Sequence, residues 1–205
     1  MNDVQAPLLP DPSAPVTVPC GPRSYRLRVP RMLDRAALTR EIVALGGRHH
    51  LPPAELRAMI DGVRAGMAES EHREAILLAL GAQLDRWNAL AQAHDEDDRE
   101  TRDAMLREIL DAGRELIEVE AVMRRHWPPY AAILGDNAAY PEIEALACAR
   151  LFVVGWDGLG VPCPRVLPGQ PLPDDAVMAI PPADLRAISA QVQALLAPSE
   201  AQRKN

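Results

Sequence analysis

The chain has 205 residues, of which 48% are hydrophobic and only 3% aromatic, and its formal net charge at pH 7 is -7. A core of aliphatic side chains favours packed helices over a β-sandwich or barrel, and the excess of carboxylates disfavours nucleic acid as a partner. The three cysteines lack zinc-ligand spacing, and the sequence has no signal-like start and no long apolar run. We therefore predict a cytoplasmic protein without a cofactor or a membrane partner.

The N-terminal region is rich in proline. Residues 1–22 contain six prolines and predict a flexible arm without regular structure. Residues 24–29 then alternate, with Tyr25, Leu27 and Val29 on one face, which predicts one short strand or hairpin ending before Pro30.

Helical periodicity begins near Asp34 and stops at the glycine pair of residues 46–47, which suits a left-handed helix end. Pro52 and Pro53 are typical of the first turn of a second helix. Its apolar residues recur at steps of three and four: Leu56, Ile60, Val63 and Met67.

The strongest structural prediction is a long αα-hairpin over residues 70–126, where no proline interrupts the chain. Ser70 is the expected cap of its first helix, and an acidic turn at residues 95–98 separates the two helices. The predicted inward stripes are Leu77, Leu80, Leu84, Trp87 and Ala91 in the first helix, and Met105, Ile109, Ala112, Leu116, Val119 and Met123 in the second.

The C-terminal third alternates between helices and proline-rich segments. We expect a short helix over residues 130–134, a second from Pro141 through Val153, an irregular segment over 155–174 and a last helix from Pro182. The complete prediction is a mainly α protein with a single helical domain over residues 23–197 and a polar tail over 198–205.

Three residue clusters resemble functional motifs without satisfying them. His49 and His50, with the acidic turn, suggest a metal-dependent enzyme, but no metal-ligand spacing supports it. Gly155 and its neighbours lack a phosphate-loop pattern. Seven arginines between residues 23 and 48 suggest either nucleic acid or intramolecular pairing with the acidic second helix of the hairpin, and we favour neither an enzyme nor a nucleic-acid-binding protein.

Basic residues are almost all arginine, since 21 of 22 are Arg and the exception is Lys204. In a GC-rich gene, codons for Lys204 and Asn205 could form the slippery heptamer A AAA AAC. A chance lysine in a polar tail explains the same observation equally well.

Several segments together resemble the tail assembly chaperones of long-tailed double-stranded DNA phages and prophages. They are YRLRVP at residues 25–30, followed by DR at 34–35, then GGR at 46–48, HWPPYA at 126–131, RLFVVGWDG at 150–158 and PSEAQRKN at 198–205. The resemblance spans roughly residues 24 to 205 of the chain.

The resemblance implies a non-enzymatic protein that binds the tape measure protein in the host cytoplasm, recruits tail tube subunits and is absent from the mature virion. It also implies a programmed frameshift near the C-terminus, and it leaves self-association open. Tape measure proteins are long amphipathic helices, so helix-in-groove binding is expected, with the last helix as the predicted partner-binding element: Leu185, Ile188, Val192 and Leu195. The alternatives are a structural virion component, such as a tail-completion or head–tail connector protein, and the metal-dependent enzyme.

Overall fold

The structure is a computed structural model that describes residues 14–31, 33–93, 99–166 and 169–197. It is mainly α-helical with a three-stranded antiparallel sheet, which confirms the predicted fold class. The predicted tail and acidic turn, and residues 1–13 of the predicted arm, lie outside the described residues. The elements are β1 (Val16–Cys20), β2 (Arg23–Leu27), α1 (Asp34–Ala44), α2 (Pro52–Gly66), α3 (Glu71–Gln92), α4 (Arg99–Gly113), α5 (Ile117–His126), α6 (Pro128–Phe152), β3 (Val153–Asp157), α7 (Asp174–Met178) and α8 (Pro182–Leu196).

The chain divides into two compact units. The sequence analysis predicted one domain over residues 23–197 and did not predict this division. Unit 1 comprises residues 1–47 and 140–205, and unit 2 comprises residues 48–139. Each unit has its own buried apolar cluster. Unit 1 therefore combines two distant parts of the sequence, whereas unit 2 is one continuous run.

The predicted strand is present as β2, with Tyr25 and Leu27 fully buried as the alternation indicated. It ends at Leu27, so Val29 lies after the strand and is half-buried. The prediction of no regular structure before it was wrong for residues 16–20, which form β1. Val18 pairs with Tyr25 across a tight turn, where Gly21 has a φ of 62°. Pro19 disguised the strand, because proline fits a strand only where its missing N–H is not needed, as at the edge occupied by β1.

Two predictions for the C-terminal third were wrong. The separate helices at 130–134 and from Pro141 form one continuous helix, α6, which accommodates Pro141 at the cost of one backbone hydrogen bond. Val153 belongs to β3 instead of the helix, and β3 and α7 occupy parts of the segment expected to be irregular. β3 depends on pairing with β2, more than 120 residues earlier, which local periodicity does not reveal.

Unit 2 confirms the αα-hairpin, since α3 packs against α4. Ser70 caps α3 by accepting a 3.2 Å hydrogen bond from the Arg73 N–H. The second helix is not continuous as predicted, because a short 3₁₀ turn at Arg114–Leu116 separates α4 from α5. The inward stripes are buried or half-buried, except that Ala91 is exposed near the end of α3.

Candidate partner-binding surface

The predicted partner-binding residues of α8 lie largely inside unit 1. Leu185, Ile188 and Val192 are buried in its apolar cluster, and Leu195 is half-buried near the end of the helix. A partner could reach the three buried side chains only if α8 left its position. Their role in binding stays a prediction, while other apolar side chains are already exposed.

A buried carboxylate holds the start of α8 against the sheet. Asp184 is 5% exposed, and its Oδ2 accepts hydrogen bonds from Arg23 Nε at 2.6 Å and from the Tyr25 hydroxyl at 2.7 Å. The hydrogen bond from Arg23 is the main reason that the pKa of Asp184 lies below its ordinary value. This cluster joins residues from both segments of unit 1, so α8 is tied to the β-hairpin.

Unit 2 exposes large apolar side chains on its second hairpin helix. Leu106, Leu110 and Ile117 are 38%, 58% and 59% exposed. Leu106 and Leu110 are one helical turn apart, and Ile117 follows seven residues later, after the 3₁₀ turn at Arg114–Leu116. We group these three exposed residues as the α4–α5 stripe. Leu78 on α3 is also 77% exposed.

The α4–α5 stripe exists because this helical segment is apolar on two neighbouring faces. Ile109 and Leu116 face the core, and each precedes a stripe residue by one position. The inward face is fixed by Gln83 of α3, whose Nε2 donates a 2.7 Å hydrogen bond to the Ile109 carbonyl. A surface helix normally has one apolar face, so the second face is left for something other than the core of unit 2.

The surroundings of the stripe are acidic. Residues 100–120 contain seven Asp or Glu and three Arg. Among the described residues, Glu108 and Glu120 pair with arginines, whereas Glu115 and Glu118 are exposed and have no ionic partner. The acidic helix, hypothesised to dock a basic partner, therefore also has an exposed apolar surface beside its carboxylates.

His50, one of the two adjacent histidines, has a structural role in unit 2. Asn137 Oδ1 accepts the His50 backbone N–H at 2.7 Å, Asn137 Nδ2 donates to the His50 carbonyl at 3.0 Å, and His50 Nε2 lies 2.9 Å from Asp136 Oδ2. These contacts tie the loop before α2 to α6. Within the part of the chain that the structure describes, no group of three or more His, Cys, Asp or Glu side chains could hold a metal ion.

Three of the seven N-terminal arginines form intramolecular ion pairs in the described part of the chain. The sequence interpretation expected the acidic helix of the hairpin as their partner, but all three pair with carboxylates of unit 1, beginning with Arg23 and Asp184. The other two pairs are Arg26 with Asp157 and Arg28 with Asp34.

The glycines after α6 support backbone packing. Gly158 has a φ of 78°, and a Cβ there would collide with the Pro22 carbonyl. Gly155 lies in β3 beneath the Arg26 side chain. Both positions are explained by contacts inside unit 1.

Comparison of the chain with protein-family models, with curated proteins and with solved structures gives no match. Among the residues described by the structure, no helix is both long and apolar enough to cross a membrane.

Proposed function

We propose that the chain is a non-enzymatic assembly chaperone of a long-tailed phage or prophage, which binds amphipathic helices of the tape measure protein and recruits tail tube subunits. The observation that carries the proposal is the α4–α5 stripe, an exposed apolar helix face with acidic surroundings. The resemblance of the sequence to tail assembly chaperones supplies the identity of the partner. The proposal includes action in the host cytoplasm and absence from the mature virion.

The stripe suits a helical partner. Apolar side chains spaced at four and seven residues, as in this stripe, are the type of anchor that packs against the apolar face of a second helix. Full burial of a Leu or Ile side chain contributes about 1.5–3 kcal/mol, so three such residues provide a substantial apolar contact. Glu115 and Glu118 would favour a partner helix with Lys or Arg beside its apolar face.

Coexpression tests the proposal directly. A helical fragment of the tape measure protein encoded beside this gene is produced with the wild-type chain or with the double variant Leu110→Ser, Ile117→Ser. We expect the wild-type chain to keep the fragment soluble and to copurify with it, and the double variant to lose both effects. The matched control is Val43→Ser, which removes an equally exposed apolar side chain, 65% accessible, from unit 1.

Three results would contradict the proposal: no gain in fragment solubility with the wild-type chain, equal loss with Val43→Ser, or stoichiometric amounts of the chain in purified virions. The last result, measured by mass spectrometry, would identify a structural virion component instead. A variant of α8, Leu195→Ser, tests the predicted site separately. Leu195 is half-buried whereas Ile188 is buried, so we expect this replacement to disturb the core less than one at Ile188.

The gene provides an independent test. A slippery heptamer at the codons for Lys204 and Asn205, an overlapping frame entered by a one-base backward slip, and a very long gene immediately downstream are expected. An AAG codon at Lys204 without a slippery run would remove this support.

A further inference from the structure

A groove of about 680 Å³ runs along β3 in unit 1. It is lined by Val153, Val154 and Gly155 and by residues 163–166, 169 and 170. Leu27 pairs with Val153 and Arg26 with Gly155, so Val154 is the extra residue of a β-bulge, and a bulged residue has no partner in the ladder. Within the described residues β3 pairs with β2 alone, which places the groove at an edge of the sheet.

Gly155 allows an arginine from the neighbouring strand to reach this edge. Arg26 of β2 is the direct cross-strand partner of Gly155. A Cβ at Gly155 would lie 2.5 Å from Arg26 Nη2 and 2.7 Å from Nε, so the guanidinium occupies the space that any side chain there would need. Asp157, two residues along β3, accepts a 2.8 Å hydrogen bond from Arg26 Nη1 and holds the arginine across the strand.

Two further arginines line the groove. The Arg28 guanidinium lies 4.5 Å from the centre of the Phe152 ring and donates to the Leu151 carbonyl at 2.8 Å, which fixes its position. Arg165 is exposed on the opposite border and has no ionic partner among the described residues. The described lining contains these three arginines and no Asp or Glu.

The positive charge of the groove is only partly neutralised. Arg28 pairs with Asp34 away from the lining, and Arg26 pairs with Asp157. The side chains of Arg26 and Asp157 are 46% and 68% exposed, and ion pairs of this exposure are weak and exchange readily. A carboxylate that enters the groove can therefore bind Arg26 in competition with Asp157. It can bind Arg165 without displacing any ionic partner.

We propose that this groove binds an extended peptide segment that alternates carboxylate side chains with small apolar ones. The edge strand β3 supplies main-chain groups for β-addition, Arg26 and Arg165 recognise the carboxylates, and Leu151, Val154 and Val166 accept the apolar side chains. The volume lies within the range of about 300–1,000 Å³ typical of ligand sites. The proposal uses unit 1 and does not depend on the helix-binding surface of unit 2.

Fluorescence anisotropy with the full chain tests the site. The probe is a fluorescein-labelled peptide of four Asp-Val repeats, and the matched probe contains four Lys-Val repeats. We expect the acidic peptide to bind, the basic peptide not to bind, and the affinity to fall as salt is raised from about 50 to about 300 mM. Arg165→Glu should weaken binding by about tenfold or more.

Arg40→Glu is the control, because it makes the same change of charge at an exposed position of α1 outside the groove. Gly155→Ala should also weaken binding by displacing Arg26, and its melting temperature is measured in parallel. Arg165 is on the surface, so Arg165→Glu remains informative even if Gly155→Ala fails to fold. The double variant Leu110→Ser, Ile117→Ser should bind the acidic peptide as the wild type does, which separates this proposal from the proposed function.

Equal weakening by Arg40→Glu would overturn the proposal, because binding would then reflect net charge. Displacement of the peptide by glutarate at equal concentration would show a site for small anions only. A peptide whose backbone nitrogens are methylated along both edges cannot donate hydrogen bonds to β3. Undiminished binding of this peptide would rule out pairing with β3. Absence of binding by the Asp-Val peptide at low salt would reject the groove as a peptide site.

Discussion

Unit 1 and unit 2 differ in how their stabilising contacts are distributed along the sequence. Unit 2 is a continuous run whose helices pack on their neighbours in the chain, through apolar stripes at regular spacing. Unit 1 joins two segments through a three-stranded sheet and a buried ion cluster between residues 161 positions apart. The contrast predicts that unit 1 is sensitive to the loss of a few polar contacts between its two segments as well as to packing, whereas unit 2 is sensitive mainly to the packing of neighbouring helices.

The largest expected effect is that of Asp184→Ala. Removal of this carboxylate leaves Arg23 and the Tyr25 hydroxyl without their buried partner, so the free energy of unfolding should fall by about 3–5 kcal/mol. Hydrogen exchange should increase in β2 and α8 more than in α2. Asp157→Ala, which removes the exposed partner of Arg26, is the control and should cost less than about 1 kcal/mol; an equal loss in both variants would contradict the role of the buried cluster.

A smaller loss is expected on acidification. The hydrogen bond from Arg23 lowers the pKa of Asp184. Burial raises the pKa of Asp34, but the hydrogen bonds from the Arg28 side chain and the Arg31 N–H outweigh burial, so the pKa of Asp34 is also lowered. The stabilisation is therefore complete above the unfolded-state pKa of about 3.9 and is lost as pH falls through the lower folded-state values. Denaturant titrations of the wild type and of Asp184→Asn between about pH 6 and pH 2 measure this, and the variant should show the shallower slope. An identical slope would assign acid sensitivity to other groups.

Gly62→Ala should destabilise unit 2 by crowding. A Cβ at Gly62 would lie 2.6 Å from Met123 Sδ and 2.8 Å from Trp127 Cγ, so α2 could no longer approach α5 as closely. Overpacking of this kind costs about 1–3 kcal/mol, measurable by denaturant unfolding. If Gly62→Ala were as stable as the wild type, the close packing of these helices would be refuted.

The smallest expected effect is a gain from Gly81→Ala. Gly81 lies within α3, and a Cβ there would contact nothing within 4 Å. Alanine restricts the unfolded chain and favours the helix by about 0.5–1 kcal/mol relative to glycine. The same substitution thus has opposite signs at two helical glycines of unit 2, and a loss of stability at Gly81 would show that α3 is more crowded than described.

Local sequence patterns determined most of unit 2. The start of α2 at the proline pair, the Ser70 cap and the inward stripes of the hairpin follow from residues close together in the chain, because helical hydrogen bonds and caps are local. The same locality predicted α1, β2 and the extent of α8. It also predicted that the hairpin helix is acidic, which is a property of composition.

Tertiary structure alone decided whether the apolar face of α8 is covered. Its regular apolar spacing fits either a core face or a partner-binding face, and only packing places Ile188 in the core. β1 and β3 became strands through pairing with β2, and Gly155 acquired its role from an arginine on that strand. The reason is physical: burial and strand pairing depend on residues distant in sequence, whereas helix periodicity and capping depend on neighbours.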